Sequence, residues 1–176
     1  MKSPQNLKIL ISEEEIKTKV KELADQIYRD FQGKNPLLLG VLQGAFIFLA
    51  DLVRQIEMDL EINFIEVSSY GSDTESSGEV KIEKDIEETI EERHLIIVED
   101  IIDTGITMNF LVDYLNQRNP VSINICTLTS KPARREKDIE IDYLGFKVPN
   151  KFLVGYGLDF NERYRNLPAI YYLDKQ

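Results

Sequence analysis

Apolar residues at Ile16, Val20, Leu23, Ile27 and Phe31 recur every three or four positions, the spacing that lines one face of a helix. Ser12, with Glu15 three residues on, forms a capping-box signature just ahead of that run. The pattern predicts a helix over Glu13 to Phe31, broken by Gly33 and Pro36. A short apolar stretch, Leu7 to Ile11, predicts a strand before it. After it, Leu37 to Leu42 reads as a buried strand, Gln43-Gly44 as a turn, and Ala45 to Ile56 as a helix with Phe46, Leu49, Leu52 and Val53 inward. Leu60 to Ser68 alternates in strand fashion. His94 to Val98 is a continuous apolar strand closed by two acids, Glu99 and Asp100, and a helix follows over Thr107 to Arg118 with Met108, Leu111, Val112 and Leu115. Val121 to Thr129, Asp142 to Val148, Phe152 to Gly155 and Ala169 to Leu173 complete the set of strand-like segments. Strands alternate with helices through the first two thirds of the chain, which predicts an α/β fold with a mainly parallel sheet covered on both faces.

Two stretches stand outside this rhythm. Ser69 to Gly78 has almost no apolar content. It reads equally as a lid over a site or as a plain surface excursion. Glu83 to Glu92 concentrates acidic residues and reads as a solvated face or loop.

Composition narrows the picture. A chain of 176 residues with 43% hydrophobic content suits one globular domain with a full core. No apolar run is long enough to span a bilayer, and the first residues lack a secretory apolar segment. The single cysteine, Cys126, lies in an apolar run and reads as a small buried hydrophobe rather than a nucleophile. The expected compartment is the cytoplasm. With one histidine, His94, a histidine-based metal site is not expected. The net charge of −10 argues against nucleic acid as a general partner. A local phosphate pocket remains open, because backbone N–H groups and a few cations can outweigh the average.

The chemistry concentrates at Val98-Glu99-Asp100-Ile101-Ile102-Asp103-Thr104-Gly105-Ile106-Thr107. A buried strand ends in carboxylates, and a hydroxyl-rich turn opens a helix whose first N–H groups can bind phosphate. Carboxylates beside such a pocket can hold sugar hydroxyls or a magnesium-loaded ligand. The combination suits a phosphorylated sugar. By spacing alone, Asp103 reads as a cap for the following helix.

This ten-residue stretch resembles the phosphoribosyl pyrophosphate motif of type I phosphoribosyltransferases, and its Glu-Asp-Ile-Ile-Asp-Thr-Gly wording resembles the hypoxanthine-guanine branch. Ser69-Tyr70 opens a polar loop like that family's flexible lid. Lys131 follows the next strand, and Lys151 to Glu162, with Arg165 after it, is similar to the family's C-terminal purine-binding hood. The likeness runs from about Leu37 to Leu167. It implies a single phosphoribosyltransferase domain: a core over about 7–148, a hood from the N-terminal strand and about 149–176, and a flexible loop over about 69–80.

The implied reaction is attack of a 6-oxopurine on C1 of phosphoribosyl pyrophosphate, with magnesium as cofactor. By resemblance, Asp103 is the general base at purine N7; a carboxylate close to two others also suits a raised pKa. Thr104, Gly105, Ile106 and Thr107 cradle the 5′-phosphate. Glu99 and Asp100 grip ribose hydroxyls and contribute to magnesium, which Asp159 also holds. Gln43 and Gly44 meet pyrophosphate through backbone N–H groups, with Ser69, Tyr70 and Arg165 contributing to the same ligand. Lys131 donates to the purine 6-carbonyl, Phe152 stacks on the ring, and Leu153 meets its edge. Without the resemblance, Lys131 is a surface lysine, Phe152 a core aromatic and Arg165 an exposed arginine. One departure stands out: where many relatives have Leu-Lys-Gly, this chain has Leu42-Gln43-Gly44, one cation fewer beside a highly charged ligand. The resemblance also implies a homodimer or homotetramer.

Two other classes compete. Acids at strand ends suit a phosphatase or phosphotransfer receiver domain, which leaves Lys131 and Phe152 to Asp159 unexplained. Some phosphoribosyltransferase folds act as nucleotide-sensing regulators of RNA, against which the acidic balance speaks.

Overall fold

A computed structural model describes residues 7–70 and 79–173. The first helix, α1 (Glu13–Phe31), follows strand β1 (Leu7–Ile11) and starts as its pattern requires. The Ser12 hydroxyl accepts from the Glu15 amide, and the Glu15 carboxylate accepts from the Ser12 amide. Then come β2 (Leu37–Leu42), α2 (Phe46–Val53), β3 (Glu61–Tyr70), β4 (Glu79–Lys84), β5 (His94–Ile102), α3 (Ile106–Asn116) and β6 (Ser122–Ser130). A 3-10 turn (Pro132–Arg134) precedes β7 (Tyr143–Lys147), β8 (Leu153–Val154) and β9 (Ile170–Leu173).

The main sheet has the order β4-β3-β2-β5-β6-β7. All its pairings are parallel except that of β4 with β3. Period-two alternation divides its side chains between two cores. Leu38, Ile96 and Val98 pack with α1 and α2 on one face, and Leu37, Leu39, Leu95 and Ile97 pack with α3 on the other. A second, antiparallel sheet of order β1-β9-β8 joins the two ends of the chain. The expected α/β architecture, mainly parallel with helices on both faces, is what the chain forms.

Three segments differ from their sequence patterns. The second helix is shorter than Ala45 to Ile56, and Phe46 at its start is 44% exposed while Phe48 is fully buried. The face that packs on the sheet is the one carrying Phe48, Leu49 and Leu52, and Phe46 falls outside it. Part of the acidic stretch is strand: Glu79–Lys84 forms β4 on the sheet edge, where charged side chains on one face meet solvent. Glu99 and Asp100 do not terminate β5, which continues to Ile102. Of the expected loop over 69–80, Ser69 and Tyr70 lie in β3, paired with Val80 and Glu79; residues 71–78 lie outside the described residues.

The crossing through α2 carries the chain from β2 outward to β3, and the crossing through α3 carries it from β5 outward to β6. The two connections leave on opposite faces of neighbouring strands. Such a switch point opens a crevice at the strand C-termini, the usual ligand position in open parallel sheets.

Candidate active site

Val41, Leu42, Glu99, Asp100, Asp103 and Thr107 all line a cleft at that switch point, together with Thr104 and Gly105. Its floor is the turn into α3. Gly105 caps the helix with φ 84°, in the left-handed region, and contributes no side chain as a cap. Asp103 therefore does not serve as the helix cap that its spacing suggested. The Thr104 hydroxyl accepts from the Ile106 amide at 3.4 Å. The first N–H groups of a helix have no partner within it, and here they face a cleft flanked by threonine hydroxyls. From behind, the amides of Glu136 and Lys137 both donate to the Thr104 carbonyl, at 2.9 and 3.0 Å. A Cβ on Gly105 would lie 2.6 Å from the Lys137 carbonyl oxygen. Only glycine fits there, on grounds of both φ and space.

The wall of the cleft is acidic. Burial drives the Glu99 carboxyl well above its ordinary pKa, and the charge of Asp100 beside it adds to the rise. Burial raises Asp100 too, against hydrogen bonds from Glu99 and the Ile101 amide and the field of Arg165. Asp100 is also packed closely: a Cβ on Gly44 would lie 1.8 Å from its Oδ2. Gly44 in turn touches the C-terminal segment, since a Cβ on Gly157 would lie 2.0 Å from the Gly44 carbonyl oxygen. The preceding peptide bond, Leu42-Gln43, is cis.

Gly157 is held by Arg165 twice, through its amide to the Arg165 carbonyl at 2.9 Å and through its carbonyl from the Arg165 guanidinium at 2.8 Å. Arg165 also pairs with Asp159 at 3.1 Å. The second Asp159 oxygen accepts from the Glu162 amide at 2.9 Å. Gln43, Gly44, Asp100, Asp159 and Arg165, spread widely along the chain, are thereby gathered around one loop.

On the other side of Asp103 lies a second hollow, lined by Lys131, Arg134, Lys151, Phe152 and Phe160 among others. Phe152 and Phe160 meet edge to face with centroids 5.5 Å apart, and each leaves nearly half its surface exposed. Phe152 is therefore not a core aromatic. Leu153 is buried in β8, and its side chain belongs to the core. Lys131 is buried as well, and is no surface lysine; its Nζ lies 3.4 Å from Asp103 Oδ2. Arg134 Nε lies 3.3 Å from Asp103 Oδ1. That oxygen is buried and receives no hydrogen bond of good geometry among the described residues. An acceptor in that condition favours a ligand that brings an N–H.

The cleft, the hollow and Asp103 between them bring together Glu99, Asp100, Asp103, Thr104, Gly105, Thr107, Lys131 and Phe152. Ser69 and Tyr70 reach the end of β3 by backbone pairing. Arg134, in the basic turn Lys131-Pro132-Ala133-Arg134-Arg135, and Phe160, within the hood-like segment, were given no role by the sequence. Arg134 acquires its place through the 3-10 turn, and Phe160 through its packing on Phe152. Among the described residues no group of three or more His, Cys, Asp or Glu side chains could by itself hold a metal ion, and no helix is long and apolar enough to cross a membrane.

A family model described as phosphoribosyl transferase domain matches residues 8–161. The hypoxanthine-guanine phosphoribosyltransferase of Bacillus subtilis is 53% identical over 163 residues, covering 93% of this chain and 91% of that protein. The bifunctional protein TilS/HprT of Listeria monocytogenes is 51% identical over 93% of this chain, which spans only 25% of that protein's length. A solved hypoxanthine phosphoribosyltransferase from Staphylococcus aureus superposes with a TM-score of 0.91 at 46% identity, covering 95% of this chain and 91% of its own.

Proposed function

The chain belongs to the phosphoribosyl transferase domain family, in its hypoxanthine-guanine branch, and from that premise we propose that it transfers phosphoribosyl from phosphoribosyl pyrophosphate to hypoxanthine and guanine. The products are the purine nucleoside monophosphates and pyrophosphate. The activity is one of purine salvage.

The observation that carries this reading is the position of Asp103, with a phosphate-type helix turn on one side and a buried lysine with an aromatic face on the other. The turn from Thr104 to Thr107 takes the 5′-phosphate and fixes the sugar while C1 moves toward the base. Glu99 and Asp100 accept from the ribose hydroxyls. Phe152 stacks on the purine, and Lys131 turns from Asp103 to the 6-carbonyl. Adenine presents a donor at that position, so the lysine disfavours it. The C1–oxygen bond to pyrophosphate breaks as the purine nitrogen bonds C1, and Asp103 Oδ1 takes the proton from N7.

Hard oxygen donors in the cleft fit magnesium, which keeps several waters and takes one or two carboxylates along with substrate phosphates. The fit rests on the adjacent Glu99–Asp100 pair at the cleft wall, whose raised pKa values a divalent cation would reverse. Asp159 joins them once Arg165 exchanges it for pyrophosphate. When bound, magnesium neutralises charge on the leaving pyrophosphate. Gln43 and Gly44 offer backbone N–H groups to the same ligand, and Ser69 and Tyr70 lie toward it. We place the protein in the cytoplasm as a homodimer or homotetramer, which sedimentation of the purified chain tests.

The decisive experiment supplies phosphoribosyl pyrophosphate and magnesium with hypoxanthine, guanine, xanthine or adenine in turn, and follows monophosphate formation. Turnover of the first two with adenine inert is expected. No monophosphate from any base would overturn the assignment.

A further inference from the structure

Asp103 faces two cations, one on each oxygen. Lys131 serves the base, and Arg134 is left without a task. The backbone delivers the two together. Lys131 opens the 3-10 turn, and the Arg134 amide donates to the Lys131 carbonyl at 3.1 Å. Residues three apart in a 3-10 turn eclipse one another, so both side chains reach the same carboxylate from the same side. Their settings differ. The Lys131 side chain is 8% exposed and that of Arg134 48%. Arg135, the next cation along, packs instead against Gly105, and its Nη2 donates to Ser130 Oγ at 2.6 Å. The neighbouring titratable groups on β5, Glu99 and Asp100, are both carboxyls and supply no cation.

We propose that Arg134 is a positioning residue, holding the Asp103 carboxylate by charge so that Oδ1 stays aimed at the purine N–H when Lys131 leaves Oδ2 for the 6-carbonyl. The proposal rests on Asp103 being the proton acceptor. The Lys131 contact to Oδ2 is long, 3.4 Å, and a move of the ammonium toward the base carbonyl lengthens it further. Once Lys131 has turned, Arg134 is the cation left on Asp103. Its Nε lies near Oδ1 without an aligned hydrogen bond, which leaves that oxygen able to accept from substrate. A half-exposed pair contributes little to folding. Loss of Arg134 should therefore appear in rate and hardly at all in the thermal midpoint.

The test is a cycle of four proteins: wild type, Arg134→Gln, Asp103→Asn and the double variant, with Arg134→Lys as a rescue. Arg134→Gln should lower kcat for hypoxanthine about tenfold, and leave the KM for phosphoribosyl pyrophosphate within about twofold. Arg134→Lys should recover most of the loss. In the Asp103→Asn background, Arg134→Gln should change kcat less than about twofold, because groups acting as a unit are not additive. An unchanged kcat in Arg134→Gln would overturn the proposal. So would an equal slowing in both backgrounds, or an effect confined to the KM for phosphoribosyl pyrophosphate. If Asp103→Asn itself turns over at the wild-type rate, the underlying role of Asp103 fails, a result separable from the others.

Discussion

At Gly157 a methyl group has no space. Its φ of 100° is strained for any L side chain, and the Cβ would press on the Gly44 carbonyl oxygen, which is backbone and cannot swing aside. Gly157→Ala should cost about 1–3 kcal/mol of stability from strain alone, and the displaced loop should raise the KM for phosphoribosyl pyrophosphate by roughly tenfold or more. Thermal unfolding and steady-state kinetics read the two effects; an unaltered KM would show that the loop does not meet the ligand. Lys131→Ala should raise the KM for the purine far more than that for phosphoribosyl pyrophosphate, and equal effects would contradict its place on the base side of Asp103. At this scale, the phosphate turn was legible because every part of it lies in one stretch, from Glu99 to Thr107. Arg134 was not legible: a basic run after a strand says nothing until the turn closes and sets the first and fourth residues side by side.

Among the elements, β4 and α3 are joined by a polar clasp. The Tyr114 hydroxyl and the Arg118 guanidinium of the α3 end both donate to Asp85, which directly follows β4. Burial alone would raise the Asp85 carboxyl, but these bonds outweigh it and hold the group below its ordinary value. The sign follows from linkage. A depressed folded-state pKa contributes stability above the unfolded value, near 3.8, and that contribution is lost as pH falls through the folded one. Asp85→Asn should lower the thermal midpoint at neutral pH and flatten its decline as pH falls below the unfolded value of 3.8; an identical decline in both proteins would refute the clasp. Helix α1 was legible to the residue, since its cap, period and stop signal agree. Strand β4 was hidden by its own charges: Val80 and Ile82 alternate with Lys81 and Glu83, but the acidic setting masks so short a period. In α2 the apolar residues are nearly continuous, so the pattern could not say which of Phe46 and Phe48 faces inward.

For the molecule as a whole, hydrogen bonds from buried tyrosines tie distant elements together, Tyr156 mooring the C-terminal segment to α2 and Tyr143 the main sheet to α1. The Tyr156 hydroxyl donates to Asp51 of α2 at 2.7 Å, and Tyr143 of β7 donates to Asp30 of α1 at 2.8 Å. Burial, then the bond to Asp51, pushes the Tyr156 hydroxyl far up, so it remains a donor at any working pH. Tyr156→Phe should cost about 1 kcal/mol, visible in denaturant midpoint, and should weaken purine and pyrophosphate binding together if the segment moves as one piece. None of these long-range contacts was legible, because a chain records its local periods and not which distant turns will touch. The lodging of Gly44 between Asp100 and Gly157 has a further consequence for anyone redesigning this protein. A library that randomises one of those three segments at a time, the Gly44 turn, the β5 end or the Gly157 loop, should return glycine at positions 44 and 157 in every functional clone. Altered variants should emerge only from joint diversification of all three, so the epistasis here is geometric and its partners can be named in advance.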